Sequence, residues 1–173
     1  LMICDEVQCG IYRTGKPFGF QNYDVVPDIV SIAKGVASGF PCGMCAARGE
    51  VAAAFKPGDH GSTFGGSNLA VAAAEATLSE IKKEDLAANA IEVGAYLREQ
   101  LSALPQVTEV RGVGLMLAAD LAEDGKSAPD VVLDGLSAGL LLNATGAHTL
   151  RFLPPHIIEL WQHNRKALSR AYL

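Results

Sequence analysis

Hydrophobic positions fall in short unbroken runs at the start of the chain and at helical spacing through its middle. Leu1 to Cys4 is apolar without polar alternation, the pattern of a strand covered on both faces in a parallel sheet, and it ends on Asp5 and Glu6. A loop rich in glycine and proline follows, through Gly10, Gly15, Pro17 and Gly19. Pro27 and Asp28 then lead into a second apolar run, IVSIAKG, which reaches Lys34. A third strand is expected over Met44 to Ala47, within GMCAARGEVAAAF, and a second glycine-rich loop, KPGDHGSTFGGSN, comes after it. Alanine and leucine at helical spacing predict one helix from Leu69 to Ile81. A second runs from Leu86 to Leu104, where Ala87, Ala90, Ile91, Val93, Gly94, Leu97 and Leu101 make a broad apolar face and Pro105 ends it.

From Val107 the pattern changes. VTEVRGVGLMLAADL reads as a strand pair bent at its glycines, Pro129 to Ala138 as a short helix, and LLLN and TLRFL as further strands. Pro155 to Leu173 has helical spacing through Ile158, Trp161, Ala167 and Leu168. The expected class is α/β, with the remnant of a parallel-sheet domain over residues 1–90 and a small α+β domain over 91–173. The changeover is placed within a helix, near Ala88 to Gly94.

With 173 residues, 49% of them hydrophobic, the chain has the apolar material for a core. A net charge of −5 without a run of Lys or Arg argues against a phosphodiester backbone as partner, so no nucleic acid is expected. No stretch reaches the roughly 18 apolar residues of a membrane span, and the first residues lack the basic and apolar segments of a signal peptide. No membrane partner and a cytoplasmic location are the resulting expectations. Cys4, Cys9, Cys42 and Cys45 are expected to be reduced, since a chain this apolar needs no staples. The C-x-x-C spacing of Cys42 and Cys45 would suit zinc or redox chemistry, but no second close pair accompanies it, and packing thiols are the preferred reading. No metal is expected. The chain opens on Leu1, directly in a strand pattern, which leads us to expect an upstream part.

Where parallel strands end, loops can aim side chains into a common crevice. Asp5 and Lys34 stand at two such ends. A carboxylate there can hold a cationic nitrogen, and a partly desolvated lysine suits imine chemistry. Both needs meet in pyridoxal phosphate (PLP) chemistry, where a lysine holds the aldehyde and an acid keeps the pyridine nitrogen protonated. An ordinary ion pair between Asp5 and Lys34 answers to the same pattern. In HGSTFGGSN, Gly61, Gly65 and Gly66 free the backbone, Ser62 and Thr63 add hydroxyls, and a helix starts just afterwards. An anion could sit there, although such a loop also serves as a plain connection.

Together, DEVQCGIYRTGKPF, PDIVSIAKG, HGSTFGGSNLA and TLRFLPP, in this order and spacing, resemble the class III aminotransferases of the acetylornithine and ornithine type, which have PLP fold type I. The resemblance covers nearly the whole chain, as the C-terminal portion of a larger enzyme. It implies that Asp5 pairs with the pyridine nitrogen, that Lys34 holds the cofactor and moves the proton, and that Val7 and Gln8 pack on the ring and approach its 3-hydroxyl. It further implies that Thr63, with Ser62 beside it, reaches the cofactor phosphate in the neighbouring subunit of a homodimer, and that Arg151 grips the substrate α-carboxylate. Between Leu150 and Phe152 in a strand, Arg151 can offer a bidentate fork; a surface salt bridge is the alternative. Glu6 is expected to make a structural hydrogen bond or ion pair, and Arg13 and Thr14 to fix the loop after the first strand.

The implied activity is transfer of the terminal amino group of N-acetylornithine, or a similar ω-amine, to 2-oxoglutarate in arginine biosynthesis. LLLNATGAHTLRFLPP looks most like the acetylornithine branch, with ornithine, succinylornithine and 4-aminobutyrate as alternatives. The chain departs from the family at Ser67-Asn68, where Asn-Pro is usual and either residue can cap the helix, and at Cys42 and Cys45, where apolar residues are usual. The family's N-terminal half carries the main phosphate loop, the aromatic that stacks on the ring and further substrate contacts, and this chain does not contain it. A second expectation is therefore an incomplete domain that folds or associates without turnover.

Overall fold

The computed structural model describes residues 1–159, in two compact units, Leu1–Ala87 and the part from Ala88 onward. The helical spacing seen after Pro155 lies mostly outside the described residues.

The first unit holds a three-stranded sheet of β1 (Ile3–Asp5), β2 (Ile29–Ile32) and β3 (Met44–Ala47), in that order. β1 and β2 are parallel, with Asp5 beside Ser31, whereas β2 and β3 are antiparallel, with Ile32 beside Met44. The α/β class holds, and the sheet is mixed. Between β2 and β3 there is only a 3-10 turn and a loop, and a parallel return needs a longer crossover, usually a helix. β1 was expected to be covered on both faces. Instead Ile3 is 66% exposed, because β1 lies at the sheet edge and the apolar core gathers elsewhere. That core joins Ile11 from the loop after β1, Val36 and Ala37 from the turn after β2, and Ala74 and Ile81 from a helix.

A short helix, α1 (Gly49–Ala54), follows β3 where no helix was anticipated. The longer α2 (Asn68–Lys83) extends the expected helix by one residue at its start and two at its end. Ser67 takes its N-cap position, but its side chain makes no capping bond.

α3 (Leu86–Ser102) leads into the second unit. The sheet there is antiparallel throughout and pairs β4 (Val107–Val113), β5 (Met116–Leu121), β6 (Asn143–Ala144) and β7 (Thr149–Phe152) in the order β4-β5-β7-β6. Alternation along β5 sends Leu117, Ala119 and Leu121 to one face. They pack with Leu150 and Phe152 of β7, Leu101 of α3, and Ala128 and Val131 of α4 (Ala128–Ser137). Arg98 of α3 donates to the carbonyls of Val110 and Gly112, and a Cβ on Gly94 would overlap the Gly114 carbonyl, so helix and hairpin approach backbone to backbone. The strand expected over LLLN is reduced to Asn143–Ala144. Gly139 turns to φ +81, its N–H donates to Leu136, and the Leu140 N–H donates to Gly135 at 2.8 Å, so the first leucine closes α4 in a Schellman cap.

Candidate functional site

Parallel pairing brings the carboxyl ends of β1 and β2 to one edge of the sheet. Asp5 is the last residue of β1, directly beside Ser31. Its Oδ1 accepts the Val7 N–H at 3.0 Å and the Ser31 hydroxyl at 3.2 Å. Lys34 follows β2 and opens the 3-10 turn Lys34–Ala37 with a left-handed backbone, φ +50. Val36 and Ala37, both buried, anchor that turn in the core while Lys34 stays exposed. The expected partial desolvation of the lysine is thus not supplied by the described residues. Among the described residues no ion pair joins Lys34 to Asp5; the pairs present lie elsewhere.

Glu6, next to Asp5, is 3% exposed. Its carboxylate accepts from the N–H groups of Gly19 at 2.7 Å and Phe20 at 2.9 Å, the start of the 3-10 helix Gly19–Tyr23. Its own N–H donates to Ser31 O and its carbonyl accepts from Gly10 N, each at 2.9 Å. One buried acid therefore joins β1, β2 and the glycine-rich loop. Gly19 must be glycine here, since a Cβ would stand 2.8 Å from that of Cys9. Thr14 is buried and accepts from Asn22 Nδ2 at 3.0 Å, and half-buried Arg13 has its pKa lowered by burial. Burial, then the charges of Glu6 and Asp5, push the Cys9 thiol above its ordinary value, which makes it a poor nucleophile. None of the four cysteines is in a disulfide; Cys42 packs against the core and Cys45 lies exposed on β3.

Val7, half-buried, and Gln8, exposed, follow Asp5 in the loop. Ser62 and Thr63 sit in an exposed loop whose bonds are local. The Lys56 N–H donates to Asp59 Oδ2 at 2.7 Å, and the Ser67 N–H donates to Phe64 O at 3.2 Å. Arg151 belongs to the second unit. It lies on β7, half-buried, between Ala118 and Asn143 in register, while Leu150 and Phe152 turn to the core. Two rungs along, Asp120 Oδ1 accepts the Thr149 hydroxyl at 2.6 Å and Oδ2 pairs with Arg111. The Arg111 bond, then Thr149, holds the Asp120 carboxyl below the ordinary range.

Two of the groups that pyridoxal phosphate requires, a carboxylate for the ring nitrogen and an amine for the aldehyde, share the β1/β2 edge. One carboxylate oxygen is already fixed by two donors, so this part of the donor set fits the cofactor. Sequence reasoning gave Asp5 and Lys34 but missed Ser31 and the two N–H partners of Glu6. Aligning the ends of the two parallel strands would have pointed to Ser31.

The sequence pattern of the family described as Aminotransferase class-III matches residues 1–170. Acetylornithine aminotransferase of Caldanaerobacter subterraneus is 48% identical over 91% of this chain and 40% of its own length. That of Aquifex aeolicus is 45% identical over 98% of this chain and 43% of its own. Among solved structures, the ornithine aminotransferase of Toxoplasma gondii, with partial occupancy of PLP at its active site, superposes with a TM-score of 0.87 at 36% identity, over 98% of this chain and 41% of that one. Acetylornithine aminotransferase of Elizabethkingia anophelis gives 0.82 at 35% identity, over 98% and 43%. The chain thus spans about two-fifths of the length of these relatives.

Proposed function

This chain belongs to the class-III aminotransferases, and on that premise we propose that it carries the lysine, the ring-nitrogen carboxylate and the carboxylate-binding arginine of a PLP-dependent transaminase. The observation that carries the reading is the shared edge of β1 and β2, where Asp5 is oriented by two donors and Lys34 leaves an anchored turn.

Lys34 Nζ would hold the cofactor, Asp5 would face its ring nitrogen, Val7 and Gln8 its ring and 3-hydroxyl, and Ser62 and Thr63 its phosphate, Thr63 across a homodimer. When bound, pyridoxal phosphate supplies an aldehyde to take up the amine and a ring to hold the electron pair left when a proton departs. Once the incoming amine has displaced it, Lys34 Nζ would accept that proton from the amine-bearing carbon and return it one step along, as a base whose position supplies about 10²–10⁴ in rate. The Asp5 carboxylate, set against the ring nitrogen, would favour a proton there. Arg151 fixes a substrate carboxylate with its planar fork. Amine donor and oxo-acid acceptor use the site in turn, so ping-pong kinetics are expected.

The names of the relatives favour N-acetylornithine, or a similar ω-amine, as donor; 2-oxoglutarate as acceptor and a place in arginine biosynthesis complete the proposal. Cysteines outside any disulfide suit a reducing compartment such as the cytoplasm. Because the chain spans only part of its relatives, a second reading remains a domain that folds or associates without turnover.

Borohydride reduction of the protein mixed with pyridoxal phosphate, followed by peptide mass spectrometry, separates the two. A reduced adduct on Lys34, lost in Lys34→Ala, supports the transaminase reading for this chain. Absence of any adduct on Lys34 in folded protein supports the second.

A further inference from the structure

A carboxylate at the end of a short exposed strand turns readily about its terminal bond unless donors hold it. In Asp5 both donors choose the same oxygen: the Val7 N–H and the Ser31 hydroxyl converge on Oδ1. The first is a local bond, from a backbone group two residues on, which any non-proline residue at that position would supply. The second depends on the register that sets Ser31 beside Asp5 and on the hydroxyl at that position. The register is itself secured from the acidic pair, since the Glu6 N–H donates to the Ser31 carbonyl at 2.9 Å and the Glu6 carboxylate is clamped by Gly19 and Phe20. Ser31 is therefore held by its carbonyl while its hydroxyl addresses the neighbouring acid.

We propose that Ser31 is a positioning residue of this site, whose hydroxyl pins Oδ1 of Asp5 so that Oδ2 is presented to the ring nitrogen of the cofactor. The inference rests on the cofactor reading given above. The contact that Ser31 makes at this site is with Asp5. It acts by keeping the carboxylate in one orientation, and its loss shows in the protonation of the ring nitrogen rather than in capture of the cofactor by Lys34.

Thr and Val at position 31 have nearly the same shape, and both are at home in a strand, so Ser31→Thr and Ser31→Val differ in little but the hydroxyl. Each protein, loaded with pyridoxal phosphate labelled with nitrogen-15 in its ring, is titrated by the ring-nitrogen chemical shift and by visible absorbance, with the Lys34 adduct measured in parallel. The expected result is an unchanged titration in the Thr variant and, in the Val variant, loss of the ring proton at a pH lower by about half a unit or more, with equal adduct formation. Coincident titrations in the two variants would overturn the role of Ser31 while leaving the cofactor reading intact. Failure of the unsubstituted protein to form the Lys34 adduct would overturn that reading and this inference with it.

Discussion

Asp5 and Glu6 are consecutive acids with opposite fates, one exposed and the other buried. Replacing Glu6 by Ala leaves the Gly19 and Phe20 N–H groups buried without their acceptor. That is expected to cost about 1–3 kcal/mol in denaturant unfolding, with faster hydrogen exchange at those two amides. Asp5→Ala removes an exposed carboxylate, so its stability change should stay within about 0.5 kcal/mol while, on the proposed reading, a bound cofactor loses its ring-nitrogen partner. A large destabilisation from Asp5→Ala in the same unfolding series would contradict this division of labour. The acidic pair was legible as a strand-end feature, and Glu6 as structural. Which backbone groups it holds was not, because they return 13 and 14 residues later through a loop without periodicity.

Among the elements, α2, α3 and α4 were legible because each is long enough for its apolar spacing to repeat. α1 was not, since GEVAAA is shorter than two turns, and the leucines after Gly139 misled because an apolar run carries no mark of the cap that consumes its start. Packing also reverses a propensity rule. In a free helix Gly94→Ala should gain about 1 kcal/mol. Here the added methyl meets the Gly114 carbonyl, and overpacking of that kind costs about 1–3 kcal/mol or more, so the variant is expected to melt at a lower temperature than the parent. A second test concerns the rung that joins β4, β5 and β7 through Arg111, Asp120 and Thr149. The carboxyl of Asp120 is depressed in the folded chain, so its contribution is complete above the ordinary carboxylate value of about 4 and is lost as pH falls from there toward the folded value. Asp120→Asn should therefore lower Tm at neutral pH by a margin that shrinks below about pH 4. A margin independent of pH would mean that packing alone holds the rung.

At the scale of the chain, the family was more legible than the surface. Asp5, Lys34 and Arg151 stand in motifs whose order survives in the sequence, while exposure depends on what packs over each element. Apolar side chains stand far out of the first unit: Leu1 is 94% exposed, Phe64 85% and Leu69 70%. Among the described strands β1 pairs only with β2, which leaves the groups along its other edge available to a further strand. Large exposed apolar side chains beside an open edge favour association. Taken alone, this polypeptide is expected to bind an apolar dye such as anilinonaphthalene sulfonate and to sediment as concentration-dependent oligomers. Raising the protein concentration should lower the dye signal per chain as the sedimenting species grow, because burial of the same side chains accounts for both. A dye-silent single monomer at every concentration would show that the exposed residues find cover within the chain itself, and the argument from exposure would then be wrong.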